Sequence, residues 1–205
     1  MQQSHVDRNF VYPIKNNYHF VPSVQELYWT ELDFFDRDKI KYFIQHLLER
    51  IHHCKDLPEY QYVLFDCPPS FSVLSYSVLS CCDLVLIPIN PDFFAAKGLQ
   101  ILISSLKMRI HLFPVPRVGV VMNRAKTPGG SSYKRYSNET QRYLDDSAEV
   151  LNTLSRDEGI KTRIFDTTIP DRVAIKRAIQ QGLTPDMQPY FRNLWLELAS
   201  FLQEK

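Results

Sequence analysis

Glycine is scarce in this chain. Only six occur in 205 residues, and Gly98, Gly119, Gly129, Gly130, Gly159 and Gly182 fit neither G-x-x-x-x-G-K-[ST] nor G-x-G-x-x-G, so both common glycine loops that cradle phosphates are missing. Cysteine is scarce too: Cys54, Cys67, Cys81 and Cys82 are too few for a disulfide scaffold, and the adjacent pair lacks the two-residue gap of a zinc knuckle. They read as reduced, mostly buried thiols. Net charge is nearly absent, with 24 basic against 23 acidic residues, so no global field holds the chain on nucleic acid or an anionic membrane. No apolar stretch approaches the roughly 20 residues of a membrane span, and the opening residues, MQQSHVDRNF, have neither the basic start nor the apolar core of a signal peptide. Secretion and membrane insertion are not expected.

What is present suits one compact domain over residues 1–205, with 44% apolar and 23% charged residues. Short apolar runs alternate with longer amphipathic stretches, the pattern of βα units feeding a largely parallel sheet. Strands are expected over Tyr18–Val21, Tyr62–Asp66, Leu84–Ile89, Arg117–Met122 and Arg163–Phe165. Several are apolar on successive residues, as when helices cover both faces, which places Val63, Leu64, Phe65, Leu84, Leu86, Val118, Val120 and Met122 in the buried sheet. Leu64→Asp is then expected to unfold the chain. Helices are expected from Val24, with Ser23 and Glu26 as a capping box, and over Ile40–Ile51, Ala95–Leu112, Glu139–Glu158, Arg172–Gln181 and Tyr190–Gln203. The turn-rich basic run from Arg124 to Arg135 reads as a surface loop.

Charge is uneven along the chain. Residues 1–106 hold 8 basic and 12 acidic side chains, and residues 107–177 hold 14 and 8. The later stretch presents either a solvated face or an anion-binding one. Three further groups have two readings each. The His52-His53-Cys54 run could suggest a metal, but adjacent histidines leave a helix on different sides and no second ligand pair matches. Cys67 could be a nucleophile or a packing thiol. The aromatic residues Tyr28, Trp29, Phe34 and Phe35 suit a core better than a base-stacking platform.

The most informative stretch is Tyr62-Val-Leu-Phe-Asp66-Cys-Pro-Pro-Ser70. An apolar strand ending in Asp puts a carboxylate where open α/β sheets bind ligands; the same pattern also merely caps helices. The two prolines stiffen the turn that follows. Asp66-Cys-Pro-Pro-Ser70 resembles the Walker B and switch II segment, D-x-P-P-S, of the ParA/Soj/MinD-type, or deviant-Walker, partition ATPases. The resemblance continues in order. Asp83–Pro91 resembles the next strand and its proline-ended loop, Phe93–Leu106 the helix after it, and Val118–Arg124 the strand ending in Asn-Arg. Ile169-Pro170 onward to Pro185 resembles the I-P-x₇-A-x₃-G-x-P segment, and Tyr18–Ser23 an upstream strand. About residues 15–205 are covered.

That resemblance implies a P-loop NTPase-like α/β fold, its largely parallel sheet covered by helices on both faces, with the N-terminal strand and Walker A missing. It implies ATP or ADP with Mg²⁺, Asp66 as the catalytic and Mg²⁺-engaging carboxylate, and Asn123, Arg124, Pro170 and Asp171 at the adenine. Nucleotide-dependent homodimerisation, a ParB-like activator and non-specific DNA binding through Lys161, Arg163, Arg172, Lys176 and Arg177 follow from it, in a cytoplasmic, nucleoid-associated protein. The family's K-G-G-x-G-K-[ST] is not in this sequence. The C-terminal part of a longer or split ATPase, a mis-started or truncated reading frame and a degenerate relative all stay open, as does a non-catalytic module that binds a partner or DNA. The polypeptide as written is not expected to hydrolyse ATP unaided.

Overall fold

The computed structural model describes residues 11–15, 18–22, 42–68, 72–92, 94–110, 116–125, 138–172, 175, 177–178, 182, 185 and 187–204. The expected helix from Val24 and its Ser23 cap, the aromatic group Tyr28 to Phe35, the loop beyond Ala125 and Lys176 lie outside those residues. The chain forms two compact units, residues 1–81 and 82–205.

The first unit opens with strands β1 (Tyr12–Lys15) and β2 (Tyr18–Phe20). They pair antiparallel, Tyr12 opposite Phe20 and Pro13 opposite His19. Tyr18–Val21 was expected to feed a largely parallel sheet; an antiparallel hairpin forms instead. Its signal was the Asn16-Asn17 dipeptide, since a two-residue connection between short β-prone runs favours hairpin pairing. Helix α1 (Phe43–His52) buries Ile44, whose backbone N–H donates to Ser77 Oγ at 2.9 Å. Ser77 is fully buried on helix α2 (Val73–Leu79), where the Ser72 hydroxyl caps the Ser75 N–H. Residues 62–68 join no strand.

The second unit carries the parallel sheet. Strand β3 (Leu84–Ile89) pairs with β4 (Arg117–Ala125), which pairs on its other side with β5 (Thr162–Ile164) and, further along, with β6 (Ile169–Pro170). All three pairings are parallel. Strand β4 is the centre: Val118, Val120, Val121 and Met122 are buried at 3% exposure or less, so neighbouring positions on opposite faces of the pleat are both covered. Val121 meets Phe165, Ile169, Leu194 and Phe201 in one cluster. The last two belong to helix α5 (Gln188–Gln203), whose stripe Leu194, Leu198 and Phe201 recurs at helical spacing. Helices α3 (Ala95–Ile110) and α4 (Asn138–Glu158) pack on each other. They bury Leu99, Ile103 and Leu106 from one and Ser147, Leu151 and Leu154 from the other, and Lys107 Nζ meets Asp157 Oδ2 at 2.9 Å. The expected burial of Leu86 is not met, for its side chain is 39% exposed on β3, the last strand in the described order.

Candidate functional site at the carboxyl edge of the sheet

Parallel strands bring their carboxyl ends to one edge, and there the chain assembles residues far apart in sequence. Strand β4 ends in Asn123, Arg124 and Ala125. Its pairing with β6 skips Arg124, since Asn123 faces Ile169 and Ala125 faces Pro170, and Arg124 takes a left-handed backbone at φ 56°. For a residue with a Cβ this costs about 1–2 kcal/mol, and such strain concentrates where a side chain must be aimed. Asp171 holds the result in place. Its N–H donates to the Ala125 carbonyl at 3.1 Å, and its Oδ1 lies 3.6 Å from Arg124 Nε. All four residues that the resemblance assigned to adenine thus share one edge.

Helix α5 positions the strand that completes this edge. Glu197 accepts from the backbone N–H groups of Asp166, at 2.7 Å, and Thr167, at 2.9 Å, and from the Thr167 hydroxyl. One carboxylate so fixes the turn between β5 and β6. Sequence reading missed Glu197; its signal was a carboxylate flanked by the apolar stripe of α5. Beyond β3, Asp92 Oδ1 accepts from the Phe94 N–H at 3.0 Å, and a cleft of about 270 Å³ opens among Pro88, Asn90, Asp92, Phe94 and Gly98.

Asp66 belongs to the first unit. It is exposed, in an extended segment where Leu64 is 84% exposed and Val63 49%, so the expected strand Tyr62–Asp66 and the burial of Val63, Leu64 and Phe65 are not met. Extended backbone becomes a strand only with a second strand alongside, and no described strand takes that place. Desolvation first, and the Asp66 carboxylate second, push the Cys67 thiol above its ordinary range, with a hydrogen bond to Ser75 pulling the other way. Cys67 is therefore a protonated, weakly nucleophilic thiol at neutral pH. It is exposed, and Cys54, Cys81 and Cys82 are only half-buried, which corrects the expectation of mostly buried thiols.

Fit to the implied groups is partial. No three His, Cys, Asp or Glu side chains gather as a metal site among the described residues. One carboxylate with phosphate oxygens is how Mg²⁺ is often held, and Asp66 could supply that single ligand. Asn123, Pro170 and Asp171 offer an edge for a base, while neither glycine motif of a phosphate cradle occurs in the sequence.

The cations assigned to DNA divide into two groups. Lys161 and Arg163 lie at the amino ends of β4 and β5, where Lys161 O accepts from Val118 N–H at 2.9 Å. Arg172 lies past β6, its guanidinium 5.9 Å from the Tyr190 ring centre, and Arg177 is exposed. Seven residues of β4 separate the two ends, about 20 Å along the strand. Lys176 lies outside the described residues.

A parallel α/β sheet with helices on both faces and a bulged carboxyl edge is of the P-loop NTPase-like class. A family model described as an AAA domain matches residues 1–112. The chain is 27% identical over 168 residues to the chromosome-partitioning ATPase Soj of Treponema pallidum, covering 82% of this chain and 58% of that protein. It is 31% identical over 184 residues to the chromosome partitioning protein ParA of Caulobacter vibrioides, covering 87% and 61%. Its fold matches apo McdA of Cyanothece with a TM-score of 0.68 at 21% identity, over 92% of this chain and 71% of that one; the D38A variant of McdA has been solved as an ATP complex. The chain belongs to the ParA/Soj-type partition ATPase family. It spans about three fifths of the length of these curated relatives. No helix among the described residues is long and apolar enough to cross a membrane.

Proposed function

We propose that this chain, as one ATPase-type domain over residues 1–205, is part of a ParA-like partition or positioning ATPase of the cytoplasm and nucleoid. In this reading it dimerises with nucleotide, binds DNA without sequence preference and answers to a ParB-like activator. The observation that carries the reading is the bulged end of β4, where Arg124 is held left-handed by Asp171 beside β6: strain kept at a sheet's carboxyl edge marks a place where a ligand is positioned. Asn123 and Pro170 would flank a base there; Asp66, in the first unit, is by the same family reading the carboxylate for Mg²⁺. The phosphates need a cradle that this sequence does not supply, so the chain by itself should not turn ATP over.

A second reading is favoured by the cations that follow β6, since Arg172 and Arg177 are both exposed. It is a non-catalytic module of the ParA type that uses these surfaces for a protein partner or DNA. Isothermal titration of ATP with Mg²⁺ into the 205-residue chain separates the two. Weak binding without phosphate release, made about tenfold weaker by Asp171→Ala at unchanged melting temperature, supports the nucleotide reading, a loss of about 1.4 kcal/mol. No binding at millimolar ATP gives the case to the module, and turnover by the chain alone would refute the need for a cradle.

A further inference from the structure

At the amino end of the sheet, opposite the candidate site, three cations turn toward one point. Arg117 opens β4, Lys161 precedes β5, and Arg163 stands in β5 across from Gly119. By the alternation of the pleat they share the face on which Val121 and Phe165 meet α5. That is where α5 ends. The last carbonyls of a helix have no intrahelical donors and carry the negative end of its dipole, which draws cations in. Arg117 Nη2 and Lys161 Nζ both donate to the Glu204 carbonyl, the second at 3.3 Å. Arg163 Nη2 pairs with the Glu204 carboxylate, and its guanidinium lies 4.9 Å from the Phe201 ring centre.

Among the described residues, this cluster sets three positive side chains against one side-chain carboxylate and a helix end equivalent to about half a charge. The Arg117 Nε–H is buried without a hydrogen-bond partner, so a donor stands unused inside the cluster. The Arg163 and Glu204 side chains are 34% and 42% exposed, open enough for an external oxyanion to reach. The register that sets Gly119 across from Arg163 puts Lys161 beside Arg117, about 5 Å away on the adjacent strand, and Arg163 about 8 Å away on the diagonal, so a ligand with charges repeated along a backbone engages more than one of them, whereas a lone carboxylate engages one. Guanidinium forks also match phosphate oxygens in a bidentate way.

We propose that Arg117, Lys161 and Arg163 form a binding site for the phosphodiester backbone of nucleic acid, and that the Glu204 carboxylate is its built-in competitor, exchanged on Arg163 for a phosphate when DNA binds. The inference rests on the DNA-binding part of the proposed function, and adds Arg117, the competitor and a separation from Arg172.

Binding of a 30-base-pair mixed-sequence duplex to the full chain, followed by fluorescence anisotropy between about 50 and 200 mM salt, tests it. Glu204→Gln is expected to bind about three- to tenfold tighter at the low end, and to steepen the slope of log K against log salt by about 0.9, one further phosphate contact. Adding Arg163→Ala to Glu204→Gln should remove the gain, while Arg172→Ala added instead should leave it. If Glu204→Gln melts several degrees early, Glu204→Asp carries the test, since it keeps the charge but withdraws it by one methylene; a partial gain is then expected, and no gain overturns the proposal. Wild-type binding with an unchanged slope in the variant overturns the competitor but leaves DNA binding elsewhere on the chain. No duplex binding by any form overturns both. Polyglutamate competing as well as duplex of equal charge overturns the assignment to phosphate.

Discussion

Asp66 and Cys67 are neighbours whose charges oppose each other. A carboxylate beside a thiol disfavours the thiolate, and desolvation acts in the same direction and more strongly. The sign of a substitution follows. Asp66→Asn removes a negative charge, stabilises the thiolate, lowers the thiol pKa and so raises the thiolate fraction at any pH below it. Alkylation of Cys67 by iodoacetamide, followed by mass spectrometry across pH 6–10, is expected to speed up near neutrality and to inflect at lower pH in the variant. An inflection that stays put or moves upward would show that the carboxylate does not act on the thiol. At the same scale, Glu197 shows how one side chain serves a site it does not enter, since its contacts to Asp166 and Thr167 set where β6 begins.

Strand β4 depends on a residue without a side chain. A Cβ at Gly119 would stand 2.5 Å from Phe165 Cε2 and 2.8 Å from Cζ, with Leu84 Cδ1 at 3.6 Å. The Phe165 ring has little freedom to yield: it is buried and packed edge-on against Phe201, the centroids 6.0 Å apart. Gly119→Ala should therefore cost about 1–3 kcal/mol, the usual range for overpacking a filled core. Urea denaturation should show a lower midpoint at unchanged slope, and Phe165→Leu in the same chain should recover part of the loss because the two sites share one clash. Additive losses in the double variant would place the clash elsewhere.

Across the whole molecule, burial separates two positions that look alike on paper. Leu64 and Val120 both sit in apolar, β-prone runs, yet Leu64 is 84% exposed and Val120 is 0% exposed. Leu64→Asp should then change stability by no more than about 0.5 kcal/mol. Val120→Asp leaves an unpaired carboxylate in the centre of the sheet, costing several kcal/mol against a typical total of about 5–15, and should abolish cooperative melting. Circular dichroism melts compare the two. If Leu64→Asp also abolishes the transition, residues 62–66 are a buried strand in solution after all.

The sequence by itself determined the elements whose signal is local. Unbroken apolar runs located β3 to the residue and β4 at its start, and helical periodicity located α3, α4 and α5 within about two residues at each end. The same runs marked a parallel sheet covered on both faces, because only such a sheet needs apolar side chains on successive positions. The order of short motifs carried the family and, with it, the grouping of Asn123, Arg124, Pro170 and Asp171. Tertiary structure alone decided the rest. Residues 62–66 have the composition of a strand, but a ladder needs a partner and composition cannot supply one. Lys161 and Arg172 are eleven positions apart, yet the length of chain through β5 and β6 carries them to opposite ends of the sheet. The left-handed turn at Arg124 is unfavourable for the residue in isolation and holds only because β6 and Asp171 are brought alongside. Glu197 and Glu204 look like ordinary surface charges on a helix until packing of α5 on the sheet brings one to two backbone amides and the other to three cations. In each case the deciding interaction joins groups far apart in sequence, and its energy exists only once the fold has brought them together.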